Sequence, residues 1–141
     1  MNRIPEKYRD LLDGPIVISL ATLMKEGAPQ VQPVWCSYDG THILVNTAKG
    51  RQKYFNMLQR PAVTVLAVDP KDDMRWIEVR GKVVESTEHG AEAHIDELAR
   101  LYMGVDSYPF RKADEVRVIF RIAPLRVVTL ESSLPDSSSS N

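Results

Sequence analysis

A mainly β chain, its strands closing into a small antiparallel barrel of about six to seven strands in a Greek-key-like order, is what these 141 residues point to. Some seven short runs are β-branched or alternate apolar with polar residues, and short connections join them. Strands this numerous must close or stack to hide their edges. Between two of the runs stands Asp39-Gly40, a strong short-range hairpin signal. A composition of 43% hydrophobic and 26% charged residues fits one ordinary domain with a real core, and excludes disordered, collagenous and disulfide-stapled classes. One domain is expected over residues 1–131.

Along the chain, Ile4 to Gly14 reads as a short helix, with Pro5 where a first turn tolerates it, Tyr8, Leu11 and Leu12 apolar, and a glycine stop. Ile16 to Met24 and Gln30 to Ser37 form a hairpin about the turn Lys25 to Ala28. Thr41 to Thr47 follows the Asp39-Gly40 turn, giving three strands by residue 47. After Gly50, Arg51 to Gln59 is a short helix with Tyr54, Phe55 and Leu58 on one face, closed by Pro61. Ala62 to Val68 is continuously apolar and expected to be a strand buried on both faces. From Met74 to Glu85, Ile77, Val79 and Val83 alternate with Trp76, Glu78, Arg80 and Lys82. Glu88 to Met103 carries the stripe Ala91, Ile95, Leu98, Tyr102 of an amphipathic helix that Gly104 stops. A loop containing Pro109 leads to a strand from Glu115 to Ile122. Pro124 is expected to interrupt it before a last strand from Arg126 to Leu130. The segment Ser132 to Asn141 is Ser-rich, low in complexity and expected to be a disordered tail.

The lone Cys36 has no internal bridge to make and reads as a small buried hydrophobe. No apolar run approaches the roughly 18 to 20 residues that span a bilayer. Glu6, Lys7, Arg9 and Asp10 leave no apolar signal core, so a reduced, cytoplasmic protein without a membrane partner is expected. A net charge of −1 argues against a bulk nucleic-acid or anionic-membrane binder.

Charge is unevenly placed. Residues 40–68 hold Lys49, Arg51, Lys53 and Arg60 and no acid, so they carry +4 against −5 elsewhere, for a total of −1. Three of these cations crowd a helix start, where the macrodipole and unpaired amides favour anions instead. A local rule broken at one place suggests a function there. One explanation is a phosphate held by first-turn amides, the Thr47 hydroxyl, Arg51 and Lys53; the other is a solvated basic loop. Arg51 and Lys53 lie about 200° apart on an ideal helix, so one of them must belong to the turn for both to straddle an anion. Pro33 inside a strand removes a ladder donor and marks a rim where Gln32-Pro33-Val34-Trp35 backbone is free to meet a planar ligand. Trp35 is either part of that wall or a core aromatic. Trp76, on a polar strand face, suggests a binding or subunit surface, and the loop 104–114 is expected in the outer wall.

No metal site is indicated, since His89 and His94 are five apart and His42 follows a hairpin turn; all three read as surface histidines. Glycine-rich nucleotide loops, a nucleophile elbow and a catalytic triad are all missing, so the catalytic residues stay unknown and a cofactor would have to carry any redox chemistry.

The segment Pro29 to Trp35, the hairpin Tyr38-Asp39-Gly40-Thr41, the run Val45-Asn46-Thr47-Ala48-Lys49-Gly50-Arg51-Gln52-Lys53 and the strand Val79-Arg80-Gly81-Lys82-Val83 together resemble the pyridoxamine 5'-phosphate oxidase-like split β-barrel family. The likeness is strongest to its short-chain branch that uses the deazaflavin coenzyme F-420. It spans roughly residues 4–130, and the Asn-Thr-Ala-Lys-Gly-Arg-Gln-Lys run is its specific part. The resemblance implies a homodimeric oxidoreductase with flavin or deazaflavin sites between subunits, coenzyme F-420 ahead of FMN. Its phosphate would lie against Arg51 and Lys53 within the run that also holds Asn46, Thr47, Ala48 and Lys49. Its ring would lie near Gln32, Pro33 and Val34, and the partner subunit would contribute around Trp76. The pyridoxamine oxidases proper end in an Arg-x-His type signature, whereas this chain runs Leu125 to Leu130 and then into serines, so oxidation of pyridoxamine phosphate is not implied. The competing reading is a non-catalytic module that sequesters flavin or haem, or binds single-stranded nucleic acid. Confinement of the cations to one turn tells against nucleic acid.

Overall fold

Pro5 opens a single 3-10 turn, Glu6–Tyr8, that continues into helix α1 (Asp10–Asp13), as the proline and glycine punctuation predicts. The computed structural model describes residues 3–134. Within them, seven strands form one antiparallel sheet: β1 (Ile18–Leu23), β2 (Pro29–Val34), β3 (Cys36–Tyr38), β4 (Ile43–Ala48), β5 (Ala62–Asp69), β6 (Asp72–Thr87) and β7 (Arg117–Thr129). Helices α2 (Gln52–Gln59), α3 (Ala91–Met103) and α4 (Leu130–Ser133) complete the order. The mainly β fold with few helices is as expected. None of the described helices is long and apolar enough to cross a membrane.

The expected single strand from Gln30 to Ser37 is in fact two, so four strands are complete by residue 48. The sheet order is β2-β1-β5-β6-β7-β4-β3, with β2 and β3 at opposite ends. Only Trp35 separates Val34 from Cys36, and one residue spans a few ångströms. The two ends must therefore lie side by side, which curls the sheet into a half-barrel split at Trp35. Its inner face packs Ile18, Leu20, Val45, Val65, Ile77, Val79, Phe120 and Ile122 with Leu11 and Leu12 of α1.

Three further expectations need correction. Ala62 to Val68 is covered on one side only: Val63, Val65 and Ala67 are buried while Leu66 and Val68 are 38% and 37% exposed, because none of the described helices covers the outer face there. Pro124 does not interrupt the last strand. Arg80 pairs with Arg126 and Gly81 with Pro124, so Leu125 is the extra residue of a bulge that accommodates the missing N–H. Gly81 is required at this point, since a Cβ there would stand 2.7 Å from Ile122 Cγ2 and 2.8 Å from the Ala123 oxygen. Helix α2 buries Asn56 and Met57 and leaves Phe55 and Leu58 exposed. Polar anchors turn it: Asn56 Nδ2 donates to Thr22 Oγ1 at 2.9 Å, and Arg60 Nε to the Leu23 oxygen at 2.7 Å. Of the expected Ser-rich tail, Ser132 and Ser133 lie in α4, where Thr129 and Ser132 form a capping box; from residue 135 on it lies outside the described residues.

Candidate functional site

Where the half-barrel splits, a cleft of about 330 Å³ opens. Pro33, Val34 and Trp35 form one wall as the chain crosses from β2 to β3. Asn46 and Thr47 stand on the floor, Arg51 and Lys53 come from the start of α2, and Arg117 from the first position of β7. Tyr108 and Phe110, from the loop after α3, supply the outer wall where it was expected. Of the two readings offered for it, Trp35 takes the wall and not the core: it is only partly buried and lines the cleft, where its ring stacks on Tyr102 at 5.1 Å and meets Tyr108 edge-on at 6.3 Å. Tyr102 is itself pinned, its hydroxyl donating to the Ile16 oxygen at 2.8 Å and accepting from the Cys36 amide at 3.1 Å.

The turn into α2 resolves how two cations two residues apart reach one place. Gly50, at φ +94°, reverses the chain, and Arg51 stays extended as the N-cap residue while Lys53 sits in the first turn. The first intrahelical bonds are those of the Tyr54 and Phe55 amides to the Arg51 oxygen, so the amides of Gln52 and Lys53 precede them. No acidic side chain occupies this first turn.

Electrostatically the cleft is short of negative charge. Arg51, Lys53 and Arg117 line it, and among the described residues the one carboxylate paired with them, Glu115, lies 2.7 Å from Arg117 Nη1 but 3.9 Å from Arg51 Nη2. Among the described residues the ammonium of Lys53 donates only to a neutral group, Gln32 Oε1, at 3.0 Å. Burial, then the neighbouring Arg51 and Arg117, hold the Lys53 pKa below the ordinary lysine value. The floor carries a matching deficit: Thr47 is 1% exposed, and its Oγ1 is the only buried side-chain nitrogen or oxygen among the described residues without a hydrogen-bond partner. A buried hydroxyl left unpaired is costly, so a hydroxyl donor beside three cations fits an anionic oxygen.

Other expected residues are placed elsewhere. Gln32 reaches the site only through Lys53. Ala48 is buried, and Lys49 turns to Glu88 at 2.5 Å. Trp76 pairs with Val68 on β6, among residues that do not line the cleft. Cys36 is fully buried, with its thiol pushed up to about 12 by desolvation. His94, expected at the surface, is only 6% exposed. It falls three residues after Ala91 and four before Leu98, inside the helix's apolar stripe, a spacing that would have placed it. Arg117 was missed altogether. Its position opposite Ala48 depends on strand register, which local sequence does not reveal.

A family model, pyridoxamine 5'-phosphate oxidase, matches residues 4–131. No curated protein matches the chain. Among solved structures, an F420 reductase is 35% identical over 89% of this chain and 98% of its own, with a TM-score of 0.79. The haem storage protein HutZ of Vibrio cholerae, at 13% identity, covers 91% of this chain and 95% of its own with a TM-score of 0.64. An FAD-binding protein from Mesorhizobium loti, at 20% identity, covers 89% and 94% with a TM-score of 0.61. These last two share the fold.

Proposed function

The chain belongs to the pyridoxamine 5'-phosphate oxidase family, and from that premise we propose that it is an oxidoreductase whose cleft holds a flavin-type cofactor by its phosphate, coenzyme F-420 in preference to FMN. The observation that carries this is the unpaired Thr47 hydroxyl beside Arg51, Lys53 and Arg117, cations that one carboxylate only partly offsets. Likeness to an F420 reductase favours the deazaflavin.

In this reading Thr47 donates a hydrogen bond to a phosphate oxygen, while Arg51 and Lys53 offset its charge from the turn and the first helical turn. Arg117 closes the opposite side. Pro33 and Val34 face the ring with a strand edge that lacks the proline donor, and Trp35 keeps that edge in place through its stack on Tyr102. The bound cofactor supplies hydride transfer to or from a small unsaturated substrate. Tyr108 and Phe110 exclude water from that reaction, and the protein's part is position and dryness.

A second copy of the chain completes the site in this reading, and the location is cytoplasmic. On the outer face of the sheet, pairing puts Leu66, Val68 and Trp76 together, and Val31, 64% exposed, continues the same face toward Pro33 at the cleft. An apolar strip of this kind on an uncovered sheet face suits a subunit contact. Trp76 of one subunit would then approach the partner's cleft.

Fluorescence-quenching titration of the purified chain with coenzyme F-420 and with FMN tests the reading. Binding of one of them at micromolar concentration is expected, followed by turnover when an unsaturated acceptor is added to the reduced complex. Binding without any turnover would leave the sequestering module, and binding of neither would remove the cofactor reading altogether.

A further inference from the structure

A line of buried polar groups leads from the cleft into α3. Arg117 Nε donates to Asn46 Oδ1 at 2.8 Å. Asn46 Nδ2 donates to the Ala91 oxygen at 2.8 Å and lies 3.1 Å from His94 Nδ1. His94 Nε2 in turn lies 2.9 Å from Ser37 Oγ. Asn46, His94 and Arg117 are each no more than 8% exposed, so none of these bonds is readily replaced by water.

Donor and acceptor inventory decides the protons. The Ala91 oxygen only accepts and the Arg117 guanidinium only donates, so the Asn46 amide is oriented twice over, with oxygen toward Arg117 and nitrogen toward α3. Its second N–H then meets His94 Nδ1, which must be the bare, accepting nitrogen. The ring proton sits on Nε2 and is donated to Ser37 Oγ. A second proton, on Nδ1, would set N–H against N–H. Asn46 can relieve that clash only by rotating, which turns its nitrogen toward Arg117 and its oxygen toward the Ala91 oxygen. Charging His94 and keeping the Arg117 Nε–H on Asn46 are therefore mutually exclusive, while Arg117 Nη1 keeps its bond to Glu115.

From this we infer that His94 and Asn46 form a positioning device for Arg117 that makes the cleft's grip on its anion pH-sensitive: neutral His94 keeps the guanidinium's Nε edge docked on Asn46, and protonated His94 frees that edge to reorient while Nη1 stays on Glu115. The inference rests on the anion-binding reading above, and it gives Asn46 an indirect role in place of a direct cofactor contact.

The surroundings set where the switch operates. Burial holds the His94 pKa below the ordinary histidine value; Glu97 on its own helix works against that shift, and Arg117 and Arg121 of β7 reinforce it. From β3 and β4 it faces only the neutral Ser37 hydroxyl and Asn46 amide. Arg121 is itself bridged to Asp39 at 2.9 Å and Glu85 at 3.4 Å. Loss of the Asn46 bond therefore belongs to mildly acid solution, below the usual histidine midpoint.

Nitrogen-15 NMR of the full chain without ligand tests this. The expected result is an Nε2–H tautomer for His94 at neutral pH, and an Arg117 Nε–H resonance that shifts or broadens on acidification with the same midpoint as the His94 ring. In His94→Asn, whose amide can accept from Asn46 at any pH, the Arg117 resonance should show no such midpoint. An Nδ1–H tautomer, or an Arg117 resonance indifferent to His94 charging in the unmodified chain, would overturn the inference even if the variant failed to fold. These signals are read without ligand, so a failed cofactor titration would leave them standing, and a negative result here would leave the cofactor titration intact.

Discussion

Arg75 and Lys53 are both cations set against other parts of the chain, yet the protein satisfies one and not the other. Arg75 reaches Asp10 at 2.6 Å and Asp69 at 3.0 Å, donates to the Lys7 oxygen, and lies over the Tyr8 ring. Its own pKa is pushed further up, and its hydrogen bonds hold Asp10 below the usual carboxylate value. It ties the N-terminal segment to the β5–β6 hairpin. Lys53 instead finds a neutral amide oxygen and two like charges, and its pKa is pushed down. A cation whose charge is answered inside the chain serves the fold. One left unanswered beside an unpaired hydroxyl is available to a ligand.

The largest effect that sharpens this contrast belongs to a residue on both sides of it. Arg117 lines the cleft but is also buried against Glu115 and Asn46. Arg117→Ala should cost about 3 kcal/mol in chemical denaturation, the lower end for breaking a buried pair, because it takes the closest partner from a largely buried carboxylate that keeps only Arg51 at 3.9 Å, and should abolish cofactor binding as well. Lys53→Met should separate the two roles. Cofactor affinity should fall by about 1.5–3 kcal/mol in a binding titration, while the ligand-free protein stays equally or more stable, since like-charge crowding is relieved. Thr47→Val keeps the shape and removes the orphaned hydroxyl, so denaturation should show a gain of about 1 kcal/mol in ligand-free stability alongside weaker cofactor binding. Arg75→Met should give the mirror image at smaller size, with stability lower by ~1 kcal/mol or less for a half-exposed ion-pair network and cofactor affinity unchanged.

The pH dependence has a definite sign on each side. With its folded pKa below 10.5, Lys53 penalises the folded state while protonated, so unmodified protein should gain stability relative to Lys53→Met as pH rises through that lowered value toward 10.5. Asp10, with its folded pKa below 3.8, contributes stability that is present above 3.8 and lost as pH falls through the lowered value. Denaturation curves against pH, each variant set beside the unmodified protein, would show the first as a relative gain of the unmodified protein at the alkaline end and the second as its relative loss at the acid end.

Much of this was legible in the sequence because it is local. The basic run in residues 40–68 needs only charge counting, the Asp39-Gly40 turn is a dipeptide signal, and the stripe Ala91, Ile95, Leu98 follows from helical spacing. What stayed hidden depends on partners distant in the chain. The division of β2 from β3 at Trp35 follows from the two ends of a sheet meeting, a closure no local pattern encodes. The rotation of α2 is set by Asn56 reaching Thr22, 34 residues away. Arg117 joins the cleft because β7 pairs with β4, and the Pro124 bulge is tolerated because Gly81 lies opposite. Thr47 was named in advance as a hydroxyl donor, but only three-dimensional packing shows that it has no partner.

Parallel titration of the unmodified chain, Lys53→Met and Arg75→Met with coenzyme F-420 and with FMN tests most directly whether unanswered charge marks the phosphate site. The account predicts micromolar binding by the unmodified chain, at least tenfold weaker binding by Lys53→Met, and no change in Arg75→Met, the tenfold corresponding to about 1.4 kcal/mol. Equal affinity for all three proteins, or a loss confined to Arg75→Met, would contradict it.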